Sequence, residues 1–154
     1  SRTRAVMFLD PFGMQVEWSL LEAIGATKAI DLWLLVPIGV GVNRLLTQND
    51  LPPEDWSAKL TKFFGTDEWQ QKFYRPKQQP GLFDAGTEQE KDADHESIKA
   101  YFVDRLQGIF EKVAPNPLTQ RNSKNSPLFL LCFAVGNKKG APTAIKIAQH
   151  LLKE

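Results

Sequence analysis

The sequence is poor in the side chains that build metal and disulfide chemistry. Its 154 residues include one cysteine, Cys132, and two histidines, His95 and His150. A single cysteine excludes an internal disulfide framework and any zinc site built from several cysteines. A metal site would have to consist mainly of carboxylates, and we predict none.

Long apolar runs are also missing. The longest mostly apolar run, Ala29–Val42, is broken by Asp31 and Pro37, whereas a helix that spans a bilayer takes about 20 apolar residues. No cationic start followed by an apolar block suggests a secretory signal. We therefore expect no membrane association and a cytoplasmic location.

The composition is that of an ordinary globular protein, but the charge is unevenly distributed. Hydrophobic residues make up 42% and charged residues 24%, with a net charge of +1, and the length suits a single domain over 1–154. Between Lys112 and Lys153 the chain has seven basic residues and no acidic one. This third of the chain can present a positive face to phosphate, nucleic acid or an acidic partner. The alternative is that these are ordinary solvated side chains.

Three short apolar runs predict β-strands, and several periodic segments predict helices. The runs are Ala5–Leu9, Ile30–Val36 and Pro127–Val135, and continuous apolar character is typical of strands buried on both faces of a parallel sheet. A helix predicted over Gln15–Ile24 separates the first two strands, which makes a parallel βαβ unit. We therefore predict a three-layer α/β fold with a mostly parallel, Rossmann-like sheet.

Further helices are predicted at Glu54–Phe64, at Asp67–Tyr74, from Asp94 or Ser97 onward, and at Ala141–Lys153, from the spacing of their apolar residues. The polar stretch 75–97 has few apolar anchors and is predicted to be a mobile loop. A second polar loop is predicted at Leu118–Ser126.

The predicted sheet is incomplete. Three strands are few for this length, and the first begins at about the fifth residue with no strand before it. A buried strand needs a neighbour on each side. We therefore expect the chain to be the C-terminal part of a larger α/β domain, or another chain to supply the missing edge.

The segment Asp10-Pro11-Phe12-Gly13 follows the first predicted strand. Ligands of open α/β sheets bind at the carboxyl ends of strands. Asp10 offers a hydrogen-bond acceptor and Phe12 a flat apolar face, which together suit a planar molecule that carries an amino group. The alternative is a structural turn in which Asp10 caps a backbone amide.

These four residues resemble the Asp/Asn-Pro-Pro-Tyr/Phe motif of amino-methyltransferases that use S-adenosylmethionine, and more closely its Asp-Pro-Phe-Gly variant. Over most of its length the chain resembles the three-Cys-motif partner family (TcmP), whose fold is similar to that of a class I methyltransferase. The segments that carry this resemblance are Phe8–Trp18, Asp31–Pro37, Val42–Leu46 and Leu128–Leu152.

The resemblance implies specific roles for residues of the motif. Asp10, Pro11 and Phe12 would be the catalytic residues: Asp10 would orient the acceptor amine, the carbonyl of Pro11 would accept its second hydrogen, and Phe12 would stack on the acceptor. Gly13 would let the backbone turn and would belong to the substrate-binding site. A three-Cys-motif protein is the implied partner, and S-adenosylmethionine is the implied cofactor of the full-length parent.

The chain departs from the family in one respect. The glycine-rich turn that would bind the methionine part of the cofactor is absent, and Gly39-Val40-Gly41 is the closest sequence. We therefore expect no cofactor to bind this chain alone.

Four further residues are candidates for substrate binding. Asn43 and Arg44 follow the second strand, and Arg44 could bind a carboxylate or phosphate through two hydrogen bonds. Lys138 and Lys139 lie in the turn before the last helix, where backbone amides and two cations could bind phosphate. Asp31 begins a strand and is expected at the opposite end of the sheet from Asp10, in a structural role.

Two functions fit these observations. In the first, the chain is the C-terminal part of a methyltransferase-like enzyme that acts on an amino group of a nucleobase, and it is inactive by itself. In the second, it is a non-catalytic module that keeps a methyltransferase-like sheet and binds a protein or nucleic acid through its basic C-terminal face.

Overall fold

A computed structural model describes residues 3–10, 14–78 and 88–153. The strands are β1 (Ala5–Leu9), β2 (Ile30–Val36), β3 (Tyr74–Pro76), β4 (Gln89–Lys91), β5 (Lys112–Val113), β6 (Leu118–Arg121) and β7 (Pro127–Val135). The helices are α1 (Trp18–Ala26), α2 (Asn43–Leu45), α3 (Glu54–Phe64), α4 (Trp69–Phe73), α5 (His95–Gln107) and α6 (Ala141–Leu151). A π-helical turn, Ile38–Val42, runs directly into α2. In these residues no helix is long and apolar enough to cross a bilayer.

The main sheet is mixed. In the described residues β1 pairs parallel with β2, β2 pairs antiparallel with β7, and both β5 and β6 pair antiparallel with the far side of β7. The α/β class is thus confirmed, but the expectation of a mostly parallel sheet is wrong. An apolar run indicates that a strand is buried on both faces, but it does not give the direction of the strand. β7 is buried in this way and runs antiparallel to β2.

The two ends of the predicted loop over 75–97 form a small second sheet. Tyr74–Pro76 pairs antiparallel with Gln89–Lys91, and a further bridge joins Asn49 to Glu90. The prediction of a loop is therefore wrong for these residues, and residues 79–87 lie outside the described part of the chain. The polar loop predicted at Leu118–Ser126 contains β6, whose polar side chains lie on a sheet edge.

Alternate residues of the strands supply two hydrophobic clusters. Leu32 and Leu34 of β2, with Cys132 of β7, belong to a cluster that also contains the buried residues of α1, α3 and α5. Phe133 and Val135 of β7 belong to a second cluster with the inner residues of α6. The pleat of a strand sends neighbouring side chains to opposite faces, so each face of the central strands is covered.

The first strand is less covered than predicted. Its burial alternates, with Val6 72% and Phe8 60% exposed, while Met7 and Leu9 pack against the core. The expectation that Ala5–Leu9 is buried on both faces is therefore wrong. In the described part of the chain β1 pairs with β2 alone and forms an edge of the sheet.

Local chemistry fixes where two helices begin and end. The carboxylate of Asp94 accepts a hydrogen bond from the Ser97 amide, and the Ser97 hydroxyl accepts one from the Asp94 amide, so α5 begins at His95. Gly65 ends α3 with a φ of 71°, and an added Cβ there would lie 2.1 Å from Cδ1 of Trp18. Only glycine meets both requirements at that position.

Candidate functional site

Asp10 lies at the carboxyl end of β1 with an exposed side chain. Among the described residues its carboxylate has no ion-pair partner. Pro11, Phe12 and Gly13, the other residues predicted from the motif, lie outside the described part of the chain. The position of Asp10 agrees with its predicted placement at the end of a strand that has a parallel neighbour.

The carboxyl ends of β1 and β2 lie side by side. The parallel register pairs Leu9 with Leu34, so the segments that follow the two strands leave the same end of the sheet. These segments meet where Met14 packs against Gly41: an added Cβ on Gly41 would be 2.9 Å from Sδ of Met14. Asp10 therefore belongs to the same end of the sheet as the turn after β2.

The turn after β2 is tightly wound. The amides of Gly41 and Val42 both donate to the carbonyl of Pro37 at 2.9 Å. An added Cβ on Gly39 would lie 1.9 Å from the carbonyl oxygen of Pro127. Gly39 and Gly41 thus allow close packing against β7 and Met14.

The same packing bears on the implied cofactor. A glycine-rich cofactor loop has to present open backbone for the ligand to approach, whereas the backbone here is covered by Met14 and Pro127. The described turn after β2 therefore does not fit the role of a glycine-rich loop for S-adenosylmethionine.

Asn43 and Arg44 follow this turn, as the sequence predicts. The side-chain oxygen of Asn43 accepts a hydrogen bond from Nζ of Lys91 at 2.6 Å. Burial lowers the pKa of Lys91, and in the described residues no carboxylate forms an ion pair with this ammonium group. Arg44 is exposed and makes no ion pair with any described carboxylate.

Sequence reasoning missed His95, Lys91 and Arg121 as neighbours. Nδ1 of His95 is buried and has no hydrogen-bond partner among the described residues. Burial is the main cause that lowers the pKa of His95, and the positive charges of Lys91 and Arg121 lower it further. Lys91 lies close to His95 in the sequence, but Arg121 comes from β6, so no local motif could have indicated that its charge acts on His95.

Lys138 and Lys139 lie at the other end of the sheet. Since β7 runs antiparallel to β2, the turn after β7 meets the start of β2, where the Gly136 amide donates to Oδ1 of Asp31 at 3.1 Å. The structure therefore does not bring these two lysines to Asp10, Asn43 or Arg44.

At that end, Lys138 and Lys139 line one surface depression together with Arg4 and Lys28. We call the depression that these four side chains line the basic depression. Glu111 also lines it and offsets part of the charge. The amides of Lys139 and Gly140 donate to the side-chain oxygen of Asn137 at 2.9 and 3.4 Å, so these two donors already have a partner. An anion would depend mainly on the side-chain cations.

The described residues contain no group of three or more His, Cys, Asp or Glu side chains that could hold a metal ion. Cys132 is fully buried in the core, and burial raises the pKa of its thiol to about 12. A thiol of that acidity is protonated at neutral pH and is a poor nucleophile.

Comparison with protein-family models, with curated proteins and with solved structures found no match to this chain. The likeness to the TcmP family therefore rests on the sequence segments quoted above.

Proposed function

We propose that the carboxyl ends of β1 and β2 bind a flat molecule that carries an amino group, and that the chain is the acceptor-binding part of a methyltransferase-like protein. The observation that carries this proposal is the exposed carboxylate of Asp10 at the end of a strand with a parallel neighbour. Asn43 and Arg44 follow the neighbouring strand and can contact other groups of the same ligand.

The chemistry of this site is binding and orientation. A carboxylate accepts a hydrogen bond from an exocyclic amine and fixes the direction of its lone pair. Pro11 and Phe12 would contribute the second acceptor and a stacking face, as the sequence resemblance implies. Transfer of a methyl group depends mainly on positioning, so the small number of titratable groups is compatible with it.

Residues outside this chain would have to hold the cofactor. Calorimetric titration of the chain with S-adenosylmethionine should therefore give no binding heat. Saturable binding in the micromolar range would contradict our account of the packed glycines. A three-Cys-motif protein is the partner that the resemblance suggests for the complete molecule.

The acceptor proposal is tested by comparing guanosine with inosine, which differ in the 2-amino group alone. A hydrogen bond to a charged group contributes about 1.5–3 kcal/mol, so guanosine should bind at least about tenfold more tightly. Asp10→Ala should abolish this preference. Asp104→Asn removes an exposed carboxylate elsewhere on the chain and serves as the control. Equal affinity for the two nucleosides in the wild type would refute the proposal.

The basic depression favours a second candidate function, a non-catalytic module that binds nucleic acid. Cations contribute to such binding by releasing counterions, so affinity for a single-stranded oligonucleotide should fall steeply with salt. The double variant Lys138→Gln, Lys139→Gln should weaken binding and flatten the salt dependence. Lys59→Gln, Lys72→Gln removes the same charge from exposed positions on α3 and α4 and should have little effect. Affinity that is indifferent to salt would exclude this candidate.

A further inference from the structure

The free edge of β1 presents unpaired backbone groups. The amide of Ala5 donates to the carbonyl of Ala29 at 3.0 Å, and alternate residues of a parallel strand face the same neighbour. The N–H and C=O groups of Ala5, Met7 and Leu9 therefore face β2. Those of Val6 and Phe8 face away from it, and no described residue pairs with them.

Exposed apolar side chains lie beside this edge. Val6 and Phe8 are on the face of the sheet that α6 covers, since Phe8 lies opposite Trp33 in the register. On α6, Ile147 is 56% and Leu151 is 62% exposed, and Ile147 lines the same depression as Val6. A free strand edge next to exposed apolar side chains is a typical site for pairing with another strand.

We propose that β1 of a second copy of this chain pairs antiparallel with β1 across a two-fold axis at Met7. In this register Val6 lies opposite Phe8 of the second copy, and each such pair exchanges two backbone hydrogen bonds. Arg4 lies opposite Asp10 of the second copy at both ends of the paired strands. Every outward-facing backbone group of Val6 and Phe8 then has a partner.

The charges select this register from the alternatives. Outward-facing residues must lie opposite outward-facing residues, so a two-fold axis could also pass through Val6 or Phe8. An axis at Val6 places Arg4 opposite Phe8, and an axis at Phe8 places Asp10 opposite Val6. Only the axis at Met7 places Arg4 opposite Asp10 of the second copy and also places Val6 opposite Phe8.

The same symmetry extends the apolar surface. A two-fold axis between antiparallel strands is perpendicular to the sheet, so both copies of α6 lie on one side of the joined sheet. Val6 and Phe8 of the two copies then lie between the two helices. Ile147 and Leu151 flank this strip and become partly covered, which removes apolar area from water.

Of the two sources expected for the missing edge, the pairing of two copies takes the second, another chain, and it shares Asp10 with the proposed function. A nucleoside bound at Asp10 and a second copy that pairs through Arg4 would compete, so each should weaken the other. Self-association is measured without any ligand, whereas the guanosine preference is measured in dilute, monomeric protein. Failure of one proposal is therefore distinguishable from failure of the other.

Sedimentation equilibrium of the full chain gives the first test. The mass should rise with concentration from that of one chain, 17.4 kDa, to that of two. Phe8→Lys should shift the midpoint to at least tenfold higher concentration. Leu20→Lys places the same charge at an exposed apolar position on α1 and should leave the midpoint unchanged. A wild-type chain that stays monomeric would overturn the proposal. The edge of β1 would then be a site for a strand from outside this chain.

A charge exchange tests the register. Arg4→Glu sets two acids opposite each other in the homodimer, and Asp10→Arg sets two bases opposite each other, so each variant should be monomeric. An equimolar mixture restores both opposite-charge pairs and should form the heterodimer. Circular dichroism melting first establishes that each variant is folded, since Arg4 also pairs with Asp31. A folded pair of variants that does not associate on mixing, while the wild type dimerises, would overturn the proposed register.

Discussion

Asp31 is joined to Gly136 across the sheet: Oδ1 of Asp31 accepts a hydrogen bond from the Gly136 amide at 3.1 Å. Its other oxygen, Oδ2, lies 3.7 Å from Nη2 of Arg4. One carboxylate thus links the start of β2 to the turn after β7 and to the residue before β1. This agrees with the structural role that the sequence predicts for Asp31.

Loss of this carboxylate should destabilise the fold. Asp31→Ala leaves a partly buried amide without its partner, which costs about 1–3 kcal/mol. Asp31→Asn keeps an acceptor oxygen and should cost less, because the partly exposed pair with Arg4 contributes little. Urea unfolding of the two variants measures the difference. Equal losses would show that the charge, and not the hydrogen bond, is the stabilising feature.

The packing of the turn after β2 against β7 gives a second prediction. An added Cβ on Gly39 would lie 1.9 Å from a backbone oxygen, which cannot move without shifting β7. Gly39→Ala should therefore lower the free energy of unfolding by about 1–3 kcal/mol. Gly108→Ala is the control, since its nearest contact is 3.2 Å away and its φ is −73°. A Gly39→Ala variant as stable as the wild type would contradict the close approach.

His95 should make stability depend on pH. Burial and the charges of Lys91 and Arg121 hold its pKa below the ordinary value of 6.5, so the folded state disfavours the protonated ring. Its contribution to stability is fully present above pH 6.5. That contribution is lost as the pH falls from this value to the folded pKa.

NMR titration of the imidazole signals tests the cause of this shift. Arg121→Gln should raise the pKa of His95 towards its ordinary value, because one positive charge is removed. Arg44→Gln should leave it unchanged, since Arg44 is not among the charges that act on His95. An identical midpoint in the wild type and in Arg121→Gln would show that Arg121 does not act on the ring.

Cys132 should be inert in the folded protein. Its thiol is fully buried and has a pKa of about 12, so the reactive thiolate is scarce at neutral pH. Iodoacetamide should label the chain only after denaturant is added, as mass spectrometry would show. Complete labelling of the native protein within minutes would place this side chain near the surface.

The sequence predicts the central strands well and their directions poorly. Turn-forming residues bound each apolar run, which made the strands predictable. The structure confirms all three, at Ala5–Leu9, Ile30–Val36 and Pro127–Val135. The direction of β7 was not predictable from its side chains, since an apolar run is equally suited to either direction. The chain enters β7 by way of the short strands β5 and β6, whose sequences carry no clear strand pattern.

The placement of a candidate residue was predictable only where the strand before it has a parallel neighbour. Asp10 and Asn43 lie at the expected end of the sheet because β1 and β2 are parallel, as the βαβ pattern predicts. Lys138 is at the opposite end because it follows an antiparallel strand. The interaction of Lys91 with Asn43 joins residues that are 48 positions apart, so only the folded chain reveals it.

Amide chemical-shift mapping with guanosine, at a concentration where the chain is monomeric, tests the central claim most directly, because the two candidate sites lie at opposite ends of the sheet. We predict that the shifted amides cluster at Asp10, Met14 and residues 41–44, and that Asp10→Ala removes these shifts. Shifts confined to Lys28, Lys138 and Lys139, or equal shifts with inosine, would contradict the account.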